Sequence, residues 1–521
     1  MKCSQGLYTN RHNVLNWQDH TRTDASTPSP ADNGNDPVPD SPRHEDASSS
    51  PVRSTEAGGM DLSFALFVAA LCLAAMAYGF AVATYKLFPY QLLANAKDAY
   101  HALREIEPDD LPPNVNALDK NAPARPVIRT LSPAAGTEKL LVSGGPYEFM
   151  QRCPTFGCMA WVIDRQGNVL HSWEVDTDKL FAQIPHLAGK TKPENFYPSG
   201  IALTPDGGLV MAIQGRNTYP FQIGLVRIDR NGNVVWKHWN NSHHWIAVAA
   251  DGTVYAPYRE AIDGKTHFGG TAVETRCKAN LGAEGIGVYA PDGKQLRRIS
   301  LLDAVDKSDF SGLLYGLRNG CDPLHLNSID IVTPAIAAKI SGITAGDLLI
   351  SLRELNTVAI IDGTDGHFKK VITGRSAAQH SPRFLPDGTA LVLDNQGGRM
   401  AQGGSRVLRM DFNTGTSTTV FPQPGETAEL PFFTKTAGHI EVSPDGARAM
   451  VVGKDPGRAF EIDVASGKPL WSYRNSFDLA PYFAAKGIET PVTRAQMKMW
   501  GVYYVTDAQF EDAGLGAVEK R

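Results

Sequence analysis

Five stretches place a chemically capable side chain just before or inside a run that otherwise reads as an apolar strand. NNSHHWIAV (240–248) carries His243 and His244, CDPLHLNSIDIV (321–332) carries His325 and Asn327, and LLISLRELNTV (348–358) carries Arg353. SAAQHSPRF (376–384) carries His380, and TAGHIEVSPDG (436–446) carries His439 at the equivalent position of the following repeat. A neutral imidazole, with a reference pKa of about 6.5, can serve near neutral pH as nucleophile, base or acid. An arginine joined by His and Asn donors can hold an anionic group while its charge develops. Taken singly, each residue has a plain structural role: histidines in turns or packing, Arg353 paired with a carboxylate, Asn327 forming a turn, and His243–His244 a weak metal motif. Outside the N-terminal tail, however, histidine is scarce, and one recurs at a similar phase in successive repeats with Arg353 between them. Three readings follow: covalent group transfer through a histidine, a non-catalytic pocket that binds a ligand or partner, and a metal site built from His243, His244, His325, His380 and His439.

Residues so far apart in sequence meet only if several loops converge, and the intervening chain is built to do that. WVIDRQGNVLHSW (161–173) is echoed by VRIDRNGNVVWKHW (226–239), and more weakly by stretches at 288–296, 359–371, 408–420 and 460–473. Each is an aliphatic strand, an Asp-led turn containing Gly, and a second strand. Between them lie the turns LTPDGGLVMA (203–212), VAADGTVYA (248–256), FLPDGTALVL (384–393) and VSPDGARAMVV (442–452). Asp-Gly supplies the positive φ of tight hairpins, and the flanking alternation supplies the strands. Echoes spaced by roughly 50–70 residues predict an all-β, six-bladed β-propeller, with MWGVYYVT (499–506) helping to close the ring. In that fold the site is expected in loops at one end of the central channel.

The domain is expected over 128–521, and what precedes it differs in composition. Residues 1–60 are dominated by small and polar residues between Thr21 and Gly59 and read as a disordered tail. LSFALFVAALCLAAMAYGFAVAT (62–84) carries no charge and, at about 1.5 Å per residue, spans a bilayer core of roughly 30 Å, so 61–86 is expected to be a single transmembrane helix. Residues 87–127 read as a membrane-proximal helix, roughly Tyr90 to Ile106, and a Pro-rich linker. Positive charge flanks the span on both sides and leans slightly toward a cytoplasmic C-terminus. Cys153, Cys158, Cys277 and Cys321, an even number beyond the anchor, lean the other way, toward disulfides in an oxidising compartment. The spacing of these cysteines does not fit a zinc site. The net charge of −5 and the lack of a long basic run give no electrostatic case for nucleic acid.

Five features together make the chain resemble the bacterial and fungal arylsulfate sulfotransferases over roughly 144–473: the two Asp-led turns, the His-His pair after the second, H-x-N-S-I-D at 325–330, G-D-L-L-I-S-x-R at 346–353, and QHSPRFLPDGTALVLDN at 379–395. The resemblance implies a six-bladed propeller that moves a sulfuryl group from an aryl sulfate to a phenol. It implies no nucleotide sulfate donor, no metal and no other cofactor. The family nucleophile falls on His380, with His244, His325 and Arg353 as its catalytic companions. His243 stands as the fallback for His244, and His325 or His244 serves as acid and base. Asn327, His243 and His439 are expected to bind substrate. Members of the family work outside the cytoplasm, which places the C-terminal domain of a membrane-anchored, single-pass protein on the periplasmic or extracellular side. Homodimerisation stays open.

Overall fold

The repeated Asp-led turns close through one device. In the turn at 164–168, Asp164 Oδ1 accepts from the amides of Gln166 and Asn168 at 2.9 and 2.8 Å. The turn at 229–233 repeats it, with Asp229 accepting from Asn231 and Asn233 at 2.8 and 2.9 Å. Gly167 and Gly232 take φ of 92° and 84°, which a side chain strongly disfavours. Short strands therefore return on themselves again and again, and the chain beyond Asn114 is all-β in class apart from short helices. The computed structural model describes residues 61–85, 87–90, 114–144, 158–187, 195–216, 221–262, 281–316, 321–398, 404–423 and 432–516. The expected tail (1–60) and all but the first residue of the expected membrane-proximal helix lie outside them.

Among the described residues the strands form six antiparallel sheets of four or five strands and one of three. The first sheet is led by Gly501–Val505, which pairs with Lys139–Ser143 and is followed by Cys158–Ile163 and Val169–Glu174. The next five are simple meanders led by Phe196–Leu203, Ala247–Val248, Leu326–Ile331, His380–Phe384 and His439–Val442. Their second strands are Leu209–Gly215, Val254–Ile262, Leu348–Leu352, Ala390–Asp394 and Arg448–Gly453. Several of these, LLISL and ALVLD for example, are buried at every residue, which is why they read as continuous apolar runs. Outermost strands such as Val234–His238 are half exposed.

Apolar clusters fill the space between consecutive sheets. One joins the first and second, others the second and third, third and fourth, fourth and fifth, and fifth and sixth. A further cluster, with Trp161, Val502, Met450 and Trp471, packs the sixth sheet against the first. Covering both faces of every sheet in this way leaves the leading strands against one another, as Leu326–Ile331 lies against His380–Phe384 and the latter against His439–Val442.

The linker expected over 87–127 ends sooner than the sequence suggests. Val115–Leu118 pairs with Arg494–Met497, which also pairs with Ser476–Asp478, and Val127–Thr130 adds a fifth strand to the sixth sheet. The reason is local burial: Val115 and Leu118 pack with Phe477, Leu479, Phe483 and Met497. The described residues contain no complete disulfide pair, and Cys153 and Cys277 lie outside them. Separately, Leu62–Tyr85 is one helix of 24 residues, exposed along almost its whole length and long and apolar enough to cross a membrane.

Candidate active site

Three leading strands carry a β-bulge near the same end. The register shifts between Pro198 and Gly200, between Leu326 and Ser328, and between His380 and Arg383. A bulge inserts a residue, bends the strand and re-aims its side chains. His244, His325 and Ser381 also hold φ of 55°, 52° and 50°. For residues with a Cβ this left-handed region costs about 1–3 kcal/mol each and persists only where the surroundings enforce it. The enforcing contacts are visible. Trp245 bridges in parallel to Ser328, and its amide donates to Asn327 O at 3.3 Å. Gly200 leaves room for that segment, since a Cβ there would stand 2.3 Å from His244 O.

His380 is buried, 2% exposed. Asn395 Oδ1 lies 2.7 Å from its Nδ1. Asn395 Nδ2 donates to Thr434 O and Ala437 O, both at 2.9 Å, which fixes the amide orientation. The oxygen facing His380 is therefore an acceptor, and Nδ1 of His380 carries the proton. Its Nε2 keeps a lone pair. Burial and then the nearby Arg353 charge hold His380 well below the ordinary histidine pKa, with His325 and Lys454 adding to this and Asn395 opposing it. The peptide before His380 is pinned as well. Gln379 Nε2 donates to Ser351 Oγ, Leu352 O and Thr357 O at 3.1, 3.2 and 3.0 Å, and Asn327 Nδ2 donates to Gln379 O at 2.8 Å.

The other expected residues gather beside it. The His244 ring stands edge-on to His325 at 5.0 Å between centroids. His325 Nδ1 lies 2.5 Å from Asp322 Oδ2, which leaves its Nε2 for the site. Arg353 lies in the turn after Leu348–Leu352, its amide donates to His325 O at 3.1 Å, and its guanidinium pairs with Glu354. His243 is 1% exposed and turns away, its Nδ1 2.6 Å from His244 Nδ1 and its Nε2 3.6 Å from Glu284 Oε1. Burial, then the His325 charge, lowers the His243 pKa to about 3, and burial and His243 put His244 well below the ordinary value. His439 stands apart from this group. It stacks on Trp245 at 5.9 Å and contacts Tyr503 at 4.5 Å, takes Ser381 Oγ at 3.1 Å, and burial lowers its pKa to about 4. Trp245 separates it from His380, whose ring meets the indole edge-on at 6.0 Å. Among the described residues no three His, Cys, Asp or Glu side chains are grouped to hold a metal ion.

Sequence reasoning passed over Asp322, Glu284 and Lys454, and had Asn395 only as the last residue of the motif QHSPRFLPDGTALVLDN, with no role given to it. Glu284 had a usable signal, a lone carboxylate in LGAEGIGVY (281–289), a run of small and apolar residues. Asp322 is marked only by lying three residues before His325, and Lys454 only by following the apolar run RAMVVG.

A family model described as Arylsulfotransferase (ASST) matches residues 200–476. No curated protein matches. Among solved structures, a protein of unknown function from Bacteroides caccae is 13% identical, covering 65% of this chain and 93% of its own, with a TM-score of 0.39. Virginiamycin B lyase from Staphylococcus aureus is 11% identical, covering 66% and 86%, with a TM-score of 0.33. Kuenenia stuttgartiensis hydrazine synthase is 14% identical, covering 62% and 76%, with a TM-score of 0.35.

Proposed function

The chain belongs to the arylsulfotransferase family, and from that premise we propose that it moves a sulfuryl group from an aryl sulfate to a phenol through a sulfohistidine at His380. The sheets are read as six blades of a propeller, which the cluster joining the sixth sheet to the first supports. The observation that carries the reading is the fixed state of His380: neutral, with Nδ1–H tied to Asn395 and Nε2 open.

In the first half-reaction Nε2 attacks sulfur, the S–N bond forms, and the ester S–O bond breaks toward the aryl oxygen. In the second, a phenol oxygen attacks sulfur and the S–N bond breaks, returning the lone pair to Nε2. A covalent intermediate divides one hard transfer into two easier ones. Charge spreads over the three sulfuryl oxygens, and Arg353 supplies donors for them, joined by whichever of His325 and His244 does not serve the aryl oxygen and carries a proton on Nε2. His325 or His244 protonates the leaving phenolate and deprotonates the incoming phenol, a role typically worth about 10²–10⁴-fold. Asn327, bonded to Gln379 O, acts by positioning the peptide of the nucleophile. The helix Leu62–Tyr85 would anchor the enzyme in a membrane, with the β-domain on the periplasmic or extracellular side.

The test uses the full-length protein in detergent with 4-nitrophenyl sulfate. Release of one equivalent of nitrophenol should accompany a sulfuryl adduct on the His380 peptide after alkaline quench, and both should vanish in His380→Ala. Folded protein that gives neither product would refute the reading.

A further inference from the structure

Behind the exposed edge of the site lies a carboxyl group that the two half-reactions above do not use. Glu284 sits in Leu281–Tyr289, is 2% exposed, and its Oε2 accepts from the amide of Leu326, the residue after His325. Its Oε1 faces His243 Nε2 at 3.6 Å, a gap that a few tenths of an ångström closes to a hydrogen bond. That nitrogen is buried with no other hydrogen-bond partner. The second nitrogen of the same ring, Nδ1, lies 2.6 Å from His244 Nδ1. His244 in turn stands against His325 and is half-buried. The line Glu284–His243–His244 thus runs from a buried carboxyl to a ring nitrogen, His244 Nε2, that faces the reacting groups.

Resting on the sulfuryl-transfer reading, we propose that Glu284 is the proton store of the active site, acting through His243 and His244. In the resting state the Glu284 O–H donates to His243 Nε2, His243 Nδ1–H donates to His244 Nδ1, and His244 Nε2–H points at the substrate. As the ester S–O bond breaks, His244 Nε2–H goes to the aryl oxygen, His243 Nδ1–H moves to His244 Nδ1, and the Glu284 proton moves to His243 Nε2. Glu284 is left as a carboxylate, both rings are neutral in their other tautomers, and phenol departs. The incoming phenol runs the relay backward: its proton enters at His244 Nε2 and Glu284 is protonated again. Protons balance over the cycle, and neither imidazole is ever charged.

That last property is what the surroundings require. Burial penalises a charged ring at both His243 and His244. A lone His244 in these surroundings would have to become imidazolium or imidazolate to act, whereas a relay avoids both. Burial, reinforced by the Asp322 carboxylate, also holds Glu284 well above the usual carboxylate range, as a proton store at neutral pH must be. Asp322 cannot take this part. His325 and Arg259 outweigh its burial and keep it ionised, so it orients His325 instead. Glu284 is a positioning residue, since it reaches substrate only through other side chains.

The test compares phenyl sulfate with 4-nitrophenyl sulfate in full-length enzyme, by pre-steady-state phenol release. Nitrophenolate leaves easily without a proton, and phenolate does not. Glu284→Gln keeps the carbonyl that accepts the Leu326 amide, so the fold should survive, which a thermal melt checks. The variant should slow phenyl sulfate at least ~30-fold more than 4-nitrophenyl sulfate, within the range of a lost general acid. His243→Gln, which cuts the line at its middle, should show the same selectivity. Asp322→Asn should slow both esters alike. Equal slowing of both esters in Glu284→Gln, beside an active wild type, overturns the relay alone. Leaving-group selectivity in Asp322→Asn and not in Glu284→Gln does so too, and assigns the proton to His325. A wild type that turns over neither ester overturns the sulfuryl-transfer reading beneath it.

Discussion

At the scale of single residues, the proposed nucleophile is defined by its partner more than by itself. His380 would be an ambivalent ring without Asn395, because either nitrogen could carry the proton. Asn395 uses both N–H groups on backbone carbonyls and so can present only oxygen to His380. In Asn395→Ala the tautomer is no longer fixed and the ring can turn. We expect kcat to fall by about 10²-fold or more, within the usual span for losing an oriented catalytic group, while KM changes little. Ala437 O loses its donor, while Thr434 O keeps Ser405 Oγ at 3.1 Å; a buried group left unsatisfied costs about 1–3 kcal/mol, so a thermal melt should accompany the kinetics. A rise in KM with unchanged kcat would instead make Asn395 a donor-binding residue. Arg353 is tuned in a similar way, since the carboxylate of Glu354 shares its charge. Glu354→Gln removes a negative group from the neighbourhood of an anionic substrate, and KM for the aryl sulfate should fall a few-fold. An increase would mean that Glu354 serves mainly to hold the guanidinium in place.

At the scale of elements, the sixth sheet packs against the first, and charge supplies part of that contact. Glu461 of the sixth sheet is fully buried and takes Arg165 at 3.0 Å, Arg448 at 3.2 Å, Tyr504 Oη at 3.0 Å and the amide of Gly136 at 2.9 Å. Glu138, beside the first sheet, completes the cluster by taking Arg448 at 2.7 Å and Arg165 at 3.1 Å. Glu461→Ala leaves two largely buried guanidinium groups short of their shared carboxylate, and removing one partner of such a pair typically costs about 3–5 kcal/mol. The denaturation midpoint should fall accordingly, and an unchanged midpoint would make the cluster dispensable for closure. Glu138 adds a pH dependence. The hydrogen bond from Arg448 lowers its pKa to about 2, from an unfolded value near 4.5. A depressed carboxylate pKa stabilises the fold above the unfolded pKa and loses that contribution as pH falls toward the folded one. Stability should therefore drop between about pH 4.5 and 2, and Glu138→Gln should flatten that drop. Sequence made the sheets legible because Asp-led turns are local: Asp164 and Asp229 cap residues two and four positions on. It made His380, His325 and Arg353 legible because each interrupts an apolar run. It left the roles of Asn395 and Glu284 and the strand Val115–Leu118 unread because their meaning lies in partners from distant segments, Thr434 and Ala437, His243, and Arg494–Met497. The bulges were hidden for the same reason, since a bulge is a mismatch between two strands and neither strand alone records it.

At the scale of the whole molecule, the proposed anchoring by the apolar helix would decide where the proposed chemistry happens. Leu62–Tyr85 carries no charge and exposes large apolar side chains such as Phe64, Phe67, Leu71 and Phe80, surface that water disfavours and lipid accepts. Aryl sulfates are permanent anions and cross bilayers poorly, so an enzyme fixed to one face of a membrane meets only the substrate on that face. The proposed orientation puts the β-domain outside the cytoplasm. Intact cells expressing the full chain should then convert external 4-nitrophenyl sulfate in the presence of an external phenol, at a rate close to that of the same cells after permeabilisation. The protein should also remain with membranes after alkaline carbonate extraction, and the β-domain should be cut by protease added to spheroplasts. Activity that emerges only on permeabilisation, with the β-domain protected from external protease, would place the site in the cytoplasm, as the slight excess of lysine and arginine after the helix favours. Release of the protein by carbonate would mean that the helix does not anchor it. The proton relay makes the choice of compartment matter for the chemistry as well. In the proposed relay the carboxyl lies behind two rings, so the proton given to each leaving phenolate would come from inside the protein and be refilled by the next phenol. The half-reactions should therefore depend less on external pH than those of an enzyme whose acid titrates against the medium.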